Sequence, residues 1–364
     1  MNESPEWLER YSRHFPLASI GIENQRLLSQ KRILIAGMGG LGTVSSELLA
    51  SIGIGYLRIV DFDVVEVSNL PRQKLYEESD IGKSKVDVAE EKLKLRNPNI
   101  EIDAQATRLD ALSVTTLLED IDLIIDALDS FSSRRVLHRE AFLQKIPFIF
   151  TGAVAESANI MSFTFKDNTP CLTCVLGDIK DNPNLTCEIT GVHPSILHLA
   201  AGIQVTDAIR ILLNQPSNLE STMMFLDLES MEFEKIKFKQ NPDCKLCGRN
   251  EEGELDSGEI GETTKGFRTI GTHGKALVTS LCGRDTIIID PSWEIKWDFD
   301  LVRNKVKDQW VIAVEGKNYL TFKINDTVLS VLRSGVSTIR GSKSSKNAVL
   351  LYDEFYSYIN QTSV

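Results

Sequence analysis

The chain has 364 residues, 42% of them hydrophobic, and a formal net charge of −11. That size and apolar content support one large domain with a full core and a smaller second one. The negative balance repels phosphate backbones and excludes nucleic acid as a primary partner. No run of about eighteen consecutive apolar residues occurs, so no membrane span is expected. The polar start "MNESPEWLERYSRHFP" lacks the apolar centre of a secretory signal, so no membrane association and a cytoplasmic location are expected. The chain has six cysteines. In that compartment they do not suggest a disulfide scaffold, and two Cys-x-x-Cys pairs suggest metal instead.

Residues 5–30 read as short helices. "KRILIAGMGGLGTVSSELLASIGIGYLRIVDFD" then reads as strand, glycine turn, helix and strand. Residues 33–36 and 56–60 are the strands, and Val44, Leu48 and Ile52 recur at helical spacing. Such a unit needs a right-handed crossover and a parallel sheet. A helix is predicted from about residue 80 to 95. The apolar runs at 122–129 and 146–152 suit strands buried on both faces. "HPSILHLAAGIQVTDAIRILL" is a strong helix with Ala201, Val205, Ala208 and Leu212 on one stripe.

Residues 250–265 are acidic, glycine-containing and poor in apolar residues, a linker composition. Beyond it, "TVLSVLRSGVSTIRG" predicts two strands around a Ser-Gly turn. "SSKNAVLLYDEFYSYI" predicts a closing helix with Val349, Tyr352, Tyr356 and Ile359 at helical spacing. The expected fold is α/β. A Rossmann-like, mostly parallel sheet with helices on both faces occupies 1–249, and a small α+β domain occupies 266–364.

"GMGGLG" sets Gly37, Gly39 and Gly42 in a Gly-x-Gly-x-x-Gly pattern between strand and helix. Glycines allow a tight turn and close approach of backbone to phosphate, and the helix N-terminus offers N–H groups and positive potential. Asp61 closes the next strand, where a carboxylate accepts hydrogen bonds from a ribose. The pattern alone does not choose between NAD and ATP, and a glycine turn serving only packing is the plain alternative. A helix end contributes only about 0.3–2 kcal/mol toward an anion, so a triphosphate calls for cations nearby. "DFDVVEVSNLPRQKLYEESDIGKSK" supplies Arg72 and Lys85, together with Asn69. Asp63 in the same stretch either sits near the nucleotide or caps the following turn.

Here the chain resembles a known family. "GxGGLG", "DxD…SNLxRQ", "GxxKV", "DxxD" followed by Ser-Phe, and the early "RYSRH" resemble the MoeB/ThiF/HesA adenylyltransferases, prokaryotic relatives of ubiquitin-activating enzymes. The resemblance covers about residues 5–249. It implies ATP-dependent adenylation of the C-terminal carboxylate of a small β-grasp protein ending in Gly-Gly, with release of pyrophosphate. Arg72 and Lys85 would grip the phosphates, assisted by Asn69. Asp129 would hold magnesium, and Arg13 would reach into the other subunit of a homodimer. Gly40, Ser68 and Ser130 join the implied nucleotide contacts. A sulfur donor such as a cysteine desulfurase is an implied partner in sulfur-carrier pathways. Without the motifs, each of these Arg and Lys residues would read as an ordinary solvated charge.

Cys171-x-x-Cys174 and Cys244-x-x-Cys247 form two thiolate pairs distant in sequence. Together they make the closed tetrahedral sulfur site of structural zinc. An iron–sulfur cluster could use the same thiolates, but the chain has no closely spaced cysteine run, so zinc is preferred, and the resemblance also implies it. Cys187 falls in a polar stretch after the first pair and matches the cysteine of the family's crossover loop. There it either accepts an acyl group or sulfur, or is a spare loop thiol. Its acidic surroundings, Asp178, Asp181 and Glu188, should raise rather than lower its pKa. His193 either assists it or simply starts the next helix, and Cys282 reads as a buried small hydrophobe. The aromatics of "IDPSWEIKWDFD" are either a docking surface or core. The competing function is an NAD-dependent oxidoreductase. It shares the glycine fingerprint but leaves Arg72, Lys85 and the cysteine pairs unexplained.

Overall fold

The computed structural model describes residues 4–177, 190–248, 267–270, 274–281, 286–291, 295, 297–306, 310–342 and 344–360. Two short helices, α1 (Pro5–Tyr11) and α2 (Gly21–Leu28), lead into β1 (Arg32–Ala36), α3 (Gly40–Ile52), β2 (Tyr56–Val60) and α4 (Lys85–Arg96). There follow β3 (Glu101–Gln105), α5 (Val114–Leu117), β4 (Leu123–Asp126), α6 (Phe131–Gln144), β5 (Phe148–Val154) and β6 (Ser157–Phe163). Next come α7 (Leu172–Leu176), α8 (Pro194–Leu212), β7 (Thr222–Asp227) and β8 (Glu232–Lys237). These strands form one eight-stranded sheet in the order β3-β2-β1-β4-β5-β6-β7-β8. Pairings from β3 through β5 are parallel, and those from β5 to β8 are antiparallel.

Strand alternation builds the two layers. Ile33 and Ile35 pack with α3, α4 and α8, whereas Leu34 and Ala36 pack with α5 and α6 on the other face. Buried on both faces, β1 and β4 are continuous apolar runs. α8 is apolar and long enough to cross a membrane by composition, yet it lies against α3, β5 and β6 with Ala201, Val205, Ala208 and Leu212 buried as expected.

The C-terminal part contains β9 (Phe267–Ile270), β10 (Gly274–Leu281), β11 (Thr286–Pro291), α9 (Phe299–Val306), β12 (Val311–Glu315), β13 (Tyr319–Ile324), β14 (Thr327–Leu332), β15 (Ser337–Arg340) and α10 (Ser345–Asn360). The strands make a second sheet in the order β12-β13-β14-β15-β11-β10-β9, antiparallel throughout. Gly335, at φ +90°, makes the expected turn between β14 and β15. Trp297 and Phe299 are buried beside Trp310, Phe322 and Phe355, so these aromatics are core. Trp293 lies outside the described residues.

Three local expectations shift. α4 starts at Lys85 rather than near Asp80, because Glu78–Asp80 is a separate 3-10 turn and Gly82 has φ +85°. α3 buries Leu41, Val44 and Leu49, leaving Leu48 and Ile52 half-buried. α10 buries Ala348, Tyr352, Phe355 and Ile359, one position off the expected stripe at two of its four sites. The linker at 250–265 and Cys282 lie outside the described residues.

Candidate active site

Strand order reverses between β1 and β4, and open α/β sheets hold ligands at the carboxyl ends of the strands at such a point. The glycine loop sits there. Gly37 adopts φ +93°, and a Cβ on it would come within 2.6 Å of the Ala127 carbonyl. A Cβ on Gly42 would lie 1.8 Å from the Gly37 carbonyl, so the loop folds over the helix start only with glycine at both places. A Cβ on Gly40 would strike Leu197 of α8, whereas above Gly39 the nearest atom is Gln73 Nε2 at 3.8 Å. Gly39 is the N-cap of α3 and supplies no side-chain cap. The first N–H groups of α3 therefore have no intrahelical acceptor and are presented to a ligand.

Asp61 ties this loop to the end of β2. Its Oδ2 accepts from the Met38 N–H at 2.7 Å and its Oδ1 from the Asp63 N–H at 2.8 Å. Burial raises its pKa against the opposing charge of Lys85. Each oxygen keeps a second lone pair, so capacity for a ribose hydroxyl remains. Asp63 accepts from Lys85 Nζ at 2.7 Å, and Lys85 opens α4. Tyr76 donates to the Met38 carbonyl, binding the glycine loop to the same segment.

Asn69 ends a 3-10 turn, where its Oδ1 accepts from the Glu66 N–H at 3.0 Å. Its Nδ2 is buried with no hydrogen-bond partner, as is Gln73 Oε1. Unpaired buried polar atoms cost about 1–3 kcal/mol each, a cost that a polar ligand reaching them would relieve. Arg72 is half-buried and donates from Nη1 to the Ser68 carbonyl at 2.6 Å, while Ser68 is exposed. The residues present therefore fit a phosphate-bearing ligand. They comprise uncapped helix N–H groups, a lysine, an arginine and an unpaired amide donor.

On the β4 side, Asp126 is fully buried and pairs with Arg134 at 2.6 Å. Arg134 also donates to the carbonyls of Leu128 and Thr151, and Asp126 Oδ1 accepts from the Leu128 N–H at 3.0 Å. This pair shapes the turn that projects Asp129 into solvent. It also sets Ser130 as N-cap of α6, accepting from the Ser133 N–H. β4 ends at Asp126, so Asp129 belongs to the turn rather than to the strand. Gln204 of α8 donates to the Asp126 and Ile149 carbonyls and accepts from Ser45 of α3. Sequence reasoning missed Asp126, Arg134, Gln73 and Gln204. None of them carries a local signal, because a buried ion pair and a dry glutamine are recognised only from their surroundings.

Arg13 is not brought to this site. Its neighbour Tyr11 packs on Gly53 at the far end of α3, and Arg13 itself is exposed. With 13 residues α3 is about 20 Å long, beyond the reach of an arginine side chain.

The four cysteines do converge. Cys171 Sγ lies 3.8 Å from Cys174 and 3.5 Å from Cys244, Cys174 lies 3.2 Å from Cys247, and all four sulfurs fall within 4.8 Å of one another. A tetrahedral site with Zn–S bonds of about 2.3 Å has edges of about 3.8 Å, so the cluster fits a metal such as zinc. His138, kept neutral by burial with its pKa pushed down to about 3, accepts from the Leu172 N–H and steadies the first pair. At Gly248 a Cβ would meet the Cys244 carbonyl at 2.4 Å, which closes the second turn. Cys187 and its acidic neighbours lie outside the described residues. His193 caps α8 through Nδ1, which accepts from the Ser195 N–H.

Comparisons with known proteins extend this geometry. The molybdopterin-synthase adenylyltransferase of Salmonella typhimurium is 32% identical over 246 residues, covering 68% of this chain and 98% of that protein. The sulfur carrier protein ThiS adenylyltransferase of Bacillus subtilis is 29% identical over 351 residues, 95% of this chain and 98% of that one, so it spans the C-terminal sheet as well. The crystal structure of Escherichia coli MccB shares the fold, with a TM-score of 0.59 at 24% identity, covering 68% of this chain and 74% of that one. The two adenylyltransferases favour nucleotidyl transfer over the hydride-transfer reading of the glycine fingerprint. With residues 11–246 matching the ThiF family model, the chain belongs to the ThiF family and is an adenylyltransferase.

Proposed function

We propose that this protein uses ATP to adenylate the C-terminal Gly-Gly carboxylate of a ubiquitin-like sulfur carrier of the MoaD or ThiS type. The observation that carries the reading is the uncapped start of α3 at Gly39, together with the unpaired, buried Asn69 amide of the segment that also carries Arg72. There the loop N–H groups, Asn69, Arg72 and Lys85 neutralise the triphosphate, and Asp61 receives the ribose. Asp129 would hold magnesium, and Ser130 would contact the nucleotide. A carboxylate oxygen of the carrier attacks the α-phosphorus, the bond from that phosphorus to the bridging oxygen breaks, and pyrophosphate leaves. Positioning and charge neutralisation supply the acceleration.

Arg13 acts across a homodimer, a reading supported by its distance from its own chain's loop. Zinc held by Cys171, Cys174, Cys244 and Cys247 is structural, because four thiolates leave no open position. Cys187 is the thiol we assign to accept the activated acyl group: its sulfur attacks the carbonyl carbon and AMP leaves. The reaction takes place in the cytoplasm.

Intact-mass measurement under non-reducing conditions tests this, with the protein, ATP, magnesium and each Gly-Gly-ending β-grasp protein of the same organism. A carrier adduct released by reductant and absent in Cys187→Ala supports both steps. Carrier adenylate without an adduct keeps the first and removes Cys187. Neither product from any carrier overturns the reading. Arg72→Ala should lower ATP–pyrophosphate exchange by about 100- to 1000-fold.

A further inference from the structure

The C-terminal sheet touches the first domain at the segment that carries the phosphate-facing side chains. Asp87 is the third residue of α4, two after Lys85. An acidic side chain at that position ordinarily turns back to cap its own helix. Here both of its oxygens are taken by Asn318, from the turn between β12 and β13. The Asn318 N–H donates to Oδ2 at 3.0 Å and its Nδ2 to Oδ1 at 2.6 Å. The N-cap residue, Ser84, makes no cap, and its hydroxyl is buried without a partner. The first turn of α4 is therefore fastened from outside.

Other contacts surround the same segment. Thr321 Oγ1 donates to the Gly82 carbonyl at 3.0 Å, and Val314 lies where a Cβ on Gly82 would meet it at 3.3 Å. Arg340 faces Glu66 at 4.0 Å, on the turn that ends in Asn69. Tyr319, Leu332 and Val336 join the apolar cluster that contains Val65 and Val86. The Asn318 turn is itself held, its carbonyl accepting from the Arg333 N–H at 2.9 Å.

We infer that Asn318 is a positioning residue for adenylation: by holding Asp87 it sets the start of α4, and with it Lys85, for the nucleotide. The inference rests on the phosphate role assigned to Lys85. It gives the C-terminal sheet a task at the active site, so that the first domain's nucleotide affinity depends on the second.

The test uses the full chain and two readouts, the dissociation constant for ATP by calorimetry and amide hydrogen exchange. Asn318→Ala should weaken ATP binding about tenfold, the scale of hydrogen bonds to a charged group, and speed exchange within residues 82–88. The exchanged pair Asn318→Asp with Asp87→Asn should restore both, since donor and acceptor trade places. Faster exchange across the whole first domain would mean general destabilisation and overturn the inference, as would failure of the exchanged pair. ATP binding within twofold of the parent for Asn318→Ala, while Lys85→Ala weakens it, overturns the positioning role alone. If Lys85→Ala also binds normally, the phosphate reading falls and this one with it.

Discussion

Lys85 Nζ lies 2.7 Å from Asp63 Oδ2 with 5% of the lysine side chain exposed, so this buried cation is held by a carboxylate from the stretch after β2. The pair keeps that charge from solvent beside the segment to which we assign the triphosphate. Removing the carboxylate deprives the buried ammonium of its hydrogen-bonded anion, a loss of up to about 3–5 kcal/mol. Asp63→Ala should therefore lower the urea midpoint strongly, more than Lys85→Met, which removes both the charge and the need for its partner. Equal losses in urea unfolding would contradict the argument.

Gly42→Ala should fail in the glycine loop. Its methyl would sit 1.8 Å from the Gly37 carbonyl, a backbone atom that cannot turn aside. Overpacking of this kind costs about 1–3 kcal/mol or more. ATP affinity should fall along with stability. Gly39→Ala meets only the end of Gln73 and should be far milder in stability. Thermal unfolding of the two variants side by side decides the matter.

Cys244→Ser should lose the bound metal and loosen the packing between the α7 region and the residues after β8. Thiolates this close repel one another when buried without a cation. Elemental analysis should find less than one zinc per chain in the variant. A chelator should lower the parent's melting temperature and leave that of Cys244→Ser unchanged. Full zinc in the variant would refute the four-sulfur site.

Asp103 makes a pH prediction. Burial alone would raise its pKa, but hydrogen bonds from Tyr56, Arg58 and Gln105 outweigh that and hold it below the ordinary value. A depressed carboxylate stabilises the fold above its unfolded pKa of about 3.9 and loses that contribution as pH falls through the folded value. Tyr56, pushed up to about 12 by burial and by Asp103, works at the other end. Its contribution is complete below an unfolded pKa of about 10 and is lost as pH rises through the folded one. Asp103→Asn should flatten the acid limb below about pH 4, and Tyr56→Phe the alkaline limb above about pH 10. Unfolding free energy measured across both ranges checks the signs.

Much of the candidate site's make-up was legible in the sequence. Glycines before a helix, an arginine and a lysine beyond the next strand, and two Cys-x-x-Cys pairs each announce their chemistry through residue type and local spacing. The Asp126–Arg134 pair was not legible. A buried ion pair has no periodic signature, and its partners lie on a strand and on the following helix. Gln73 and Gln204 were hidden for a similar reason, because a glutamine becomes informative only once its environment is known to be dry.

The sequence by itself determined the βαβ unit, the buried strands β1 and β4 and the stripe of α8, since these follow from apolar periodicity within a short window. It also determined which side chains could meet a phosphate or a metal. Only the tertiary structure decided that the cysteine pairs converge, that Arg13 stands a helix length from its own glycine loop, and that Asn318 closes the first turn of α4. Each of these depends on residues far apart in the chain. Local propensity is silent about them, and packing of the two sheets sets which surfaces touch.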